Sequence, residues 1–338
     1  MDIGEIARRS GVSRSTVSYA LSGKRRVSEG TRRRIQAVID ELGYRPNATA
    51  RALKEGRTRT IGLVIPPAGR RLTDMQLGFV ASVVDAAGRA DLDVLLSPSG
   101  GEHDRSFERV VVGRRVDGVI LMEIRMRDDR VASLGQAGLP FVGIGRTGSP
   151  ERMSWVDIDY ETLIARCVHH LADLGHRRIA FVDRSAELAA TGYGPSHRAR
   201  AGFARAVSER GVEGVHACCA DDATSGVSCV GRLLEDHPGL TAIATINEAA
   251  VPGMYRGLAL AGLTVPRDFS IAGVAGRYLA ENLHPPLTAA DVPAVELGTS
   301  AVELLIGRIA DPATPHRNLL VSPPISLRGT TGPARPRD

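Results

Sequence analysis

The sequence predicts an α/β protein in which a small head of three helices precedes a body of two doubly wound parallel-sheet subdomains. Three observations carry this. Apolar residues recur at helical spacing up to Gly43. From Ile61 onward, short apolar runs alternate with longer helical stretches, the rhythm of βαβ units whose parallel strands are covered on both faces. Charge divides at the same place. The net is +5, but residues 1–60 hold 14 Lys/Arg against 6 Asp/Glu, which is +8, and the other 29 and 32 give the body −3. A basic head on a mildly acidic body points to a polyanionic partner for the head alone.

Composition bounds the rest. The 338 residues exceed one ordinary domain. No uninterrupted apolar run approaches the roughly 20 residues of a membrane span, so no membrane partner is expected. The opening MDIGEIARRSG has no apolar stretch or cleavage site of a secretory signal, so a cytoplasmic location is expected. Cys167, Cys218, Cys219 and Cys229 form no CxxC pair, and the nine histidines fall at no metal-ligand spacing. The cysteines read as reduced thiols, and neither metal nor cofactor is expected.

In the head, Asp2 is placed to cap a helix over about 3–9 whose Ile3, Ile6 and Ala7 share a face, with Gly11 at a tight turn. Ser13 caps a second helix, Arg14 to Leu21, with Val17, Ala20 and Leu21 inward and Arg14, Ser15, Ser18 and Tyr19 outward. Gly23 closes it. Ser28, or Thr31, starts a third helix in which Ile35, Val38, Ile39 and Leu42 recur until Gly43. Two short helices joined by a glycine turn, with a third behind, describe a helix-turn-helix, whose second helix enters the DNA major groove.

The run from Ile3 to Leu53, with GVS.STVS, VSE.TR and LGYRPN..AR.L in order, resembles the DNA-binding headpiece and hinge of the lac repressor (LacI/GalR) family of transcription regulators. The resemblance implies roles position by position. Arg14 and Ser15, with Tyr19 one turn on, occupy the base-reading positions. Arg14 suits a bidentate contact to guanine worth about 1–3 kcal/mol of discrimination, the alternative being a phosphate contact. Ser13, Thr16, Ser18 and Asn47 match phosphate-gripping positions, and Arg26 a turn position that reaches DNA. Residues 1–46 are thus expected as the headpiece and 47–60 as hinge helix and linker. Leu53 holds the place of a minor-groove wedge, Ala50 is small enough for two hinge helices to meet, and Arg51 follows Leu53 into the groove.

In the body, strands are expected at Ile61–Ile65, Val94–Ser97, Gly118–Met122, Phe141–Ile144, Ile179–Val182, Ala217–Ala220, Ala242–Ile246 and Ile271–Val274. Helices between them include Leu77–Ala90, Thr162–Leu174, Arg198–Arg210 and Ala250–Ala261. About 270 residues suit two such units, with a ligand in the cleft beside the carboxyl ends of the strands. The blocks RRVDGVIL, LADLGHRRIAFV, LTVPRDFSIAGV and HPPLTAADVPAVELGTSAVELL resemble the same family's core, which is related to periplasmic sugar-binding proteins. That resemblance implies three crossings between subdomains: 61–160 with 291–320, and 161–290 with 321–330. The tail 331–338 is expected to be disordered, with no tetramerising heptads.

The departures concern the ligand. Where sugar-sensing members commonly carry aspartates, this chain has Gly145, Ala275 and Gly276, and the usual Asn-Asp is Asn247-Glu248. The cleft arginine of the block before AGF is either Arg198 or Arg200. Fewer carboxylates and more arginines suggest an effector other than a standard neutral hexose, sugar-derived or anionic, held by Arg71, Arg146, Arg198, Asn247 and Arg277. One motif points elsewhere: Gly143-Ile-Gly145-Arg-Thr-Gly148 fits GxGxxG, but Pro150 follows where a helix should open, so a dinucleotide-binding enzyme is not expected. The reading is a DNA-binding regulator, most simply a repressor, acting as a homodimer on double-stranded, pseudo-palindromic operator DNA under a small-molecule effector.

Overall fold

The structure is a computed structural model that describes residues 3–22, 25–43, 56–67, 69–99 and 104–335. Two compact units, Met1–Thr58 and Arg59–Asp338, are described in turn.

The head has α1 (Ile3–Ser10), α2 (Arg14–Ser22) and α3 (Glu29–Leu42). Its core is Ile6, Ala7, Val17, Ile35 and Ile39. Gly11 turns between the first two helices at φ +68°, in the left-handed region that favours glycine. The Ser13 hydroxyl accepts from the Thr16 amide at 3.1 Å and so caps α2. Ser28 accepts from the Thr31 amide and caps α3, which settles which of the two residues starts the helix. Gly43 ends α3 in the left-handed conformation, its amide reaching the carbonyls of Asp40 and Ile39. Asp2, Gly23 and the hinge positions Asn47, Ala50, Arg51 and Leu53 lie outside the described residues.

In the body the first sheet is built from β1 (Thr60–Ile65), β2 (Asp93–Pro98), β3 (Gly118–Leu121), β4 (Phe141–Ile144), β5 (Ser154–Ile158) and β11 (Asn318–Val321), in the order β11-β5-β4-β3-β1-β2. The second is built from β6 (Arg178–Asp183), β7 (Glu213–Cys218), β8 (Ala242–Thr245), β9 (Ser270–Gly276), β10 (Thr288–Val292) and β12 (Ile325–Ser326), in the order β12-β10-β9-β8-β6-β7. Every pairing is parallel except β10 with β12. Helices α4 (Asp74–Arg89), α5 (Asp104–Val112), α6 (Asp129–Gln136) and α13 (Ala294–Ala310) belong with the first sheet. The second carries α7 (Tyr160–Asp173), α8 (Ala186–Ala190), α9 (Gly194–Arg210), α10 (Ala223–Asp236), α11 (Val251–Leu260) and α12 (Arg277–Asn282). One apolar cluster runs unbroken from Leu63 and Phe79 through Tyr160 to Phe181 and Phe203, so the two subdomains share buried surface.

Four local expectations need correction. The strand expected at Ala217–Ala220 lies earlier, at Glu213–Cys218. It is an edge strand, half exposed along its length, and lacks the continuous apolar signature that drew attention to Ala-Cys-Cys-Ala. The helix expected from Arg198 starts at Gly194, with Pro195 in its first turn, where a missing N–H costs nothing. Strands β5, β10, β11 and β12 were not anticipated. The tail is tied as far as Ala334, whose amide donates to the Leu174 carbonyl at 2.8 Å, while the Gly332 amide donates to Ser270 Oγ at 3.1 Å.

Candidate functional site

The head presents α2 outward. Arg14 and Ser15 are exposed and Tyr19 is half-buried, one turn along the same helix. The Arg14 guanidinium lies across Gly4 of α1, at a place where any Cβ would come within 2.4 Å of it. Arg25 sits over the Tyr19 ring, 5.6 Å from its centroid, which adds a cation to this face. Ser13, Ser15 and Thr16 hydroxyls interlink at 2.7 and 2.8 Å, so Ser13 serves the helix as well as standing near its outer end. Arg26 is exposed.

The body has a cleft lined at the carboxyl ends of its strands. Glu123 follows β3 with φ +51°, a left-handed conformation costly for a side-chain-bearing residue and typical of functional sites. Its carboxylate accepts two bonds from Arg70, at 3.0 and 2.9 Å, and one from Gln76 Nε2 at 2.9 Å. Arg70 also reaches Asp221 across the cleft at 3.4 Å, and Asp221 is held by Arg184 at 2.6 and 2.8 Å. The buried Arg184 stays firmly protonated. Burial opposes its charge, but the Asp221 bond outweighs that cost.

Glu248 performs a second crossing. Its two oxygens accept from the Met75 amide, in the first turn of α4, and from the Gly276 amide, each at 2.7 Å. Helix N-termini leave amides unpartnered and favour negative charge, so a buried carboxylate is stable there. Gly276 makes the approach possible, because a Cβ would stand 2.9 Å from the Asp74 carboxylate. Glutamate in place of the shorter aspartate and glycine at 276 are thus parts of one contact.

Deeper in, Arg146 after β4, Asp157 in β5 and Arg198 in α9 form a buried trio. Arg146 Nη1 stands 3.3 Å from Asp157 Oδ2, and Arg146 also lies over the Trp155 ring at 5.0 Å. Arg198 Nη2 donates to the carbonyls of Arg146 and Thr147, both at 3.0 Å. Burial lifts the Asp157 carboxyl to about 6 even though Arg146 and Arg198 pull it down. Burial also lowers the Arg198 guanidinium, against the pull of Asp157.

Of the five expected effector residues, the structure therefore brings Arg146 and Arg198 together. It buries Asn247, with its Nδ2 on the Cys219 carbonyl at 2.8 Å and its Oδ1 unpartnered. Arg71 is exposed, and its neighbour Arg70 enters the cleft instead. Arg277 is exposed, with Asp291 3.8 Å away. Between Arg198 and Arg200 the geometry chooses Arg198, because Arg200 turns to Asp183 at 2.7 Å. Glu123, Asp157, Asp221 and Arg184 were missed. The available signal was a carboxylate directly after, or inside, an apolar strand run.

Asp183, His216 and Cys218 also converge, with ligand atoms within 4.8 Å, because β6 and β7 pair in register. Burial pushes the Asp183 carboxyl up, but bonds from His216, Ser196, Arg200 and the Arg184 amide outweigh it and hold it below the usual range. The trio is an internally satisfied ion-pair cluster. The GxGxxG segment opens no helix: Gly145 turns at φ +112° and a short 3-10 turn follows at Pro150–Arg152.

A helix-turn-helix head followed by a two-subdomain α/β body with a polar cleft is the architecture of a ligand-responsive DNA-binding regulator. The chain matches the family model for bacterial regulatory proteins of the lacI family over residues 2–47 and the periplasmic binding protein-like domain over 168–331. It is 32% identical to catabolite control protein A of Priestia megaterium, over 90% of this chain and 91% of that one. It is 30% identical to the HTH-type transcriptional regulator AglR of Rhizobium meliloti, over 100% and 96%. The chain belongs to the LacI family of transcription regulators. A CelR–cellobiose complex superposes with a TM-score of 0.72 at 27% identity, covering 98% of this chain and 99% of that one. The lac repressor dimer on operator DNA shares the fold, with a TM-score of 0.86 at 22% identity over 98% and 99%. No helix among the described residues is long and apolar enough to cross a membrane.

Proposed function

We propose that two copies of this chain bind a pseudo-palindromic operator, reading it with Arg14, Ser15 and Tyr19, and repress transcription until an effector occupies the body's cleft. The single observation behind the cleft reading is the convergence of Arg70, Glu123, Arg146, Asp157, Arg184, Arg198, Asp221 and Asn247 at strand ends. Polar groups converging in a concave site at strand ends are what a ligand-binding cleft offers to a small molecule. Ser13, Thr16, Ser18, Arg26 and Asn47 take phosphates, and Ala50, Arg51 and Leu53 enter the central minor groove. Leu77 and Val84, seven residues apart on α4, and Leu96 on edge strand β2 are exposed apolar side chains suited to covering by the second copy.

Effector binding acts by favouring one arrangement of the subdomains, and the Arg70–Asp221 and Glu248–Met75 crossings are the contacts that arrangement would make or break. The test is selection of bound duplexes from a random pool by the full chain. An inverted repeat with half-sites about one helical turn apart, about 10 base pairs, is expected. Binding without any enriched symmetric sequence would overturn the reading.

A further inference from the structure

A cavity of about 290 Å³ lies at the amino ends of β5 and β11, away from the carboxyl ends that line the cleft. Ser154 and Asn318, the first residues of these two parallel strands, face the C-terminal half of α13 and the loop 311–317 across it. The loop is fixed by the protein itself. Asp311 accepts from the Ala313 amide at 2.9 Å and from the Thr314 hydroxyl at 3.3 Å, and Ser154 Oγ accepts from the Arg317 amide at 3.2 Å. The cavity wall is therefore in place before any ligand arrives.

Two guanidinium groups on this wall have donors to spare. Arg308 donates through Nη1 to the Thr314 carbonyl, while its Nε is shut from solvent and has no hydrogen-bond partner. Arg317 is exposed, and its side chain has no hydrogen bond or ion pair among the described residues. Against these two stands one lining carboxylate, Glu303, so the cavity carries a surplus of one positive charge. Leu304, Pro315 and Leu319 add an apolar stretch of wall. Gly307 lies between them, inside α13, where glycine weakens a helix. Neither a turn nor packing calls for it, since its φ is not left-handed and a Cβ there would meet nothing within 4 Å. The missing side chain keeps the cavity open.

Charge and polarity together define the complement. A carboxylate offers two acceptor oxygens to guanidinium groups and neutralises the surplus charge. A phosphate dianion would leave a negative surplus beside Glu303, and an inorganic ion would leave the apolar wall uncovered. We propose that this cavity is a second ligand site, separate from the cleft, for a small monocarboxylate with an apolar body. Arg308 and Arg317 pair with the carboxylate, and Leu304, Pro315 and Leu319 cover the body. A volume of 290 Å³ is at the low end of small-molecule sites, about 300–1,000 Å³, which suits an aromatic or short aliphatic acid rather than a disaccharide. Failure of this proposal would leave the cleft reading untouched.

The test is calorimetry of the full chain at low salt with benzoate, phenylacetate and hexanoate, and with benzamide, benzyl alcohol and inorganic phosphate beside them. The acids are expected to bind, and the two neutral analogues to bind about 10- to 100-fold more weakly than benzoate, because charge-assisted hydrogen bonds are lost. Arg317→Gln, at an exposed side chain, should weaken the acids about tenfold. Gly307→Leu should abolish their binding by filling the cavity, at a position where a side chain meets no neighbour. If Gly307→Leu does not fold, Arg317→Gln still decides. Acid binding that survives the substitutions unchanged would place the acid elsewhere, the cleft included, and overturn the proposal. Neutral analogues that bind as well as benzoate, or phosphate binding alone, would overturn the carboxylate assignment. A panel in which no acid binds would overturn the site itself.

Discussion

Glu248 carries the clearest consequence of a single side chain. One methylene longer than aspartate, it takes two buried amides from opposite sides of the cleft. Glu248→Ala leaves both without a partner, at about 1–3 kcal/mol each. The expected outcome is a lower urea midpoint for the body and, because the clasp is gone, a larger radius of gyration in solution scattering. On the head, Arg14→Ala should relax preference at one base position of the selected operator. Asn47→Ala should weaken all operators about equally and lower the salt dependence of binding. Loss of affinity in both variants with base preference unchanged would refute the base-reading role of Arg14. The caps and turns of the head were open to sequence reasoning because they are local: Ser13 and Ser28 accept from amides, and Gly43 donates to carbonyls, within a few residues. Asp157 and Glu123 were not, since a carboxylate inside or just beyond an apolar run looks like a strand ending until the neighbouring strands place arginines against it.

Elements were legible in proportion to how much of their pattern is apolar. The buried central strands, β1, β3, β4, β6, β8 and β9, stand out as continuous hydrophobic runs. Strand β5 reads Ser-Trp-Val-Asp-Ile and is buried throughout, so its two polar residues hid it. The C-terminal strap was hidden for another reason: Thr330, Thr331 and Gly332 are held by several hydrogen bonds each, made to residues far away in the sequence. One of these bonds supplies a pH test. His176 is buried between Thr241 and the strap, with Nε2 donating to the Gly332 carbonyl at 3.2 Å and Nδ1 accepting from the Thr241 hydroxyl at 2.8 Å. Both bonds use the neutral ring, and burial lowers its pKa from the ordinary 6.5 to about 4. The folded protein then binds fewer protons here than the unfolded chain between those values. This contribution is full above pH 6.5 and is lost as pH falls toward 4, a change on the order of 3 kcal/mol. In urea melts across that window, His176→Gln should give a flatter dependence of stability on pH than the parent. An unchanged slope would show that other groups carry it.

For the molecule as a whole, the division of charge at residue 60 anticipated two jobs, and the two compact units fall at almost the same point, Thr58. The cleft's character was less legible. Counting arginines suggested an anion, whereas the fold pairs Arg70 with Glu123 and Asp221, Arg184 with Asp221, and Arg146 with Asp157, which only the assembled strands bring into view. The central claim is that occupancy of the cleft changes the affinity of the head for DNA, and by linkage that DNA changes the affinity of the cleft for effector. Anisotropy titration of a selected, labelled operator with the full chain, with and without a saturating small-molecule effector found by thermal-shift screening of metabolites, tests it directly. The account predicts a shift of about 5- to 150-fold in operator affinity. An operator affinity that is the same with the cleft empty and full would contradict it.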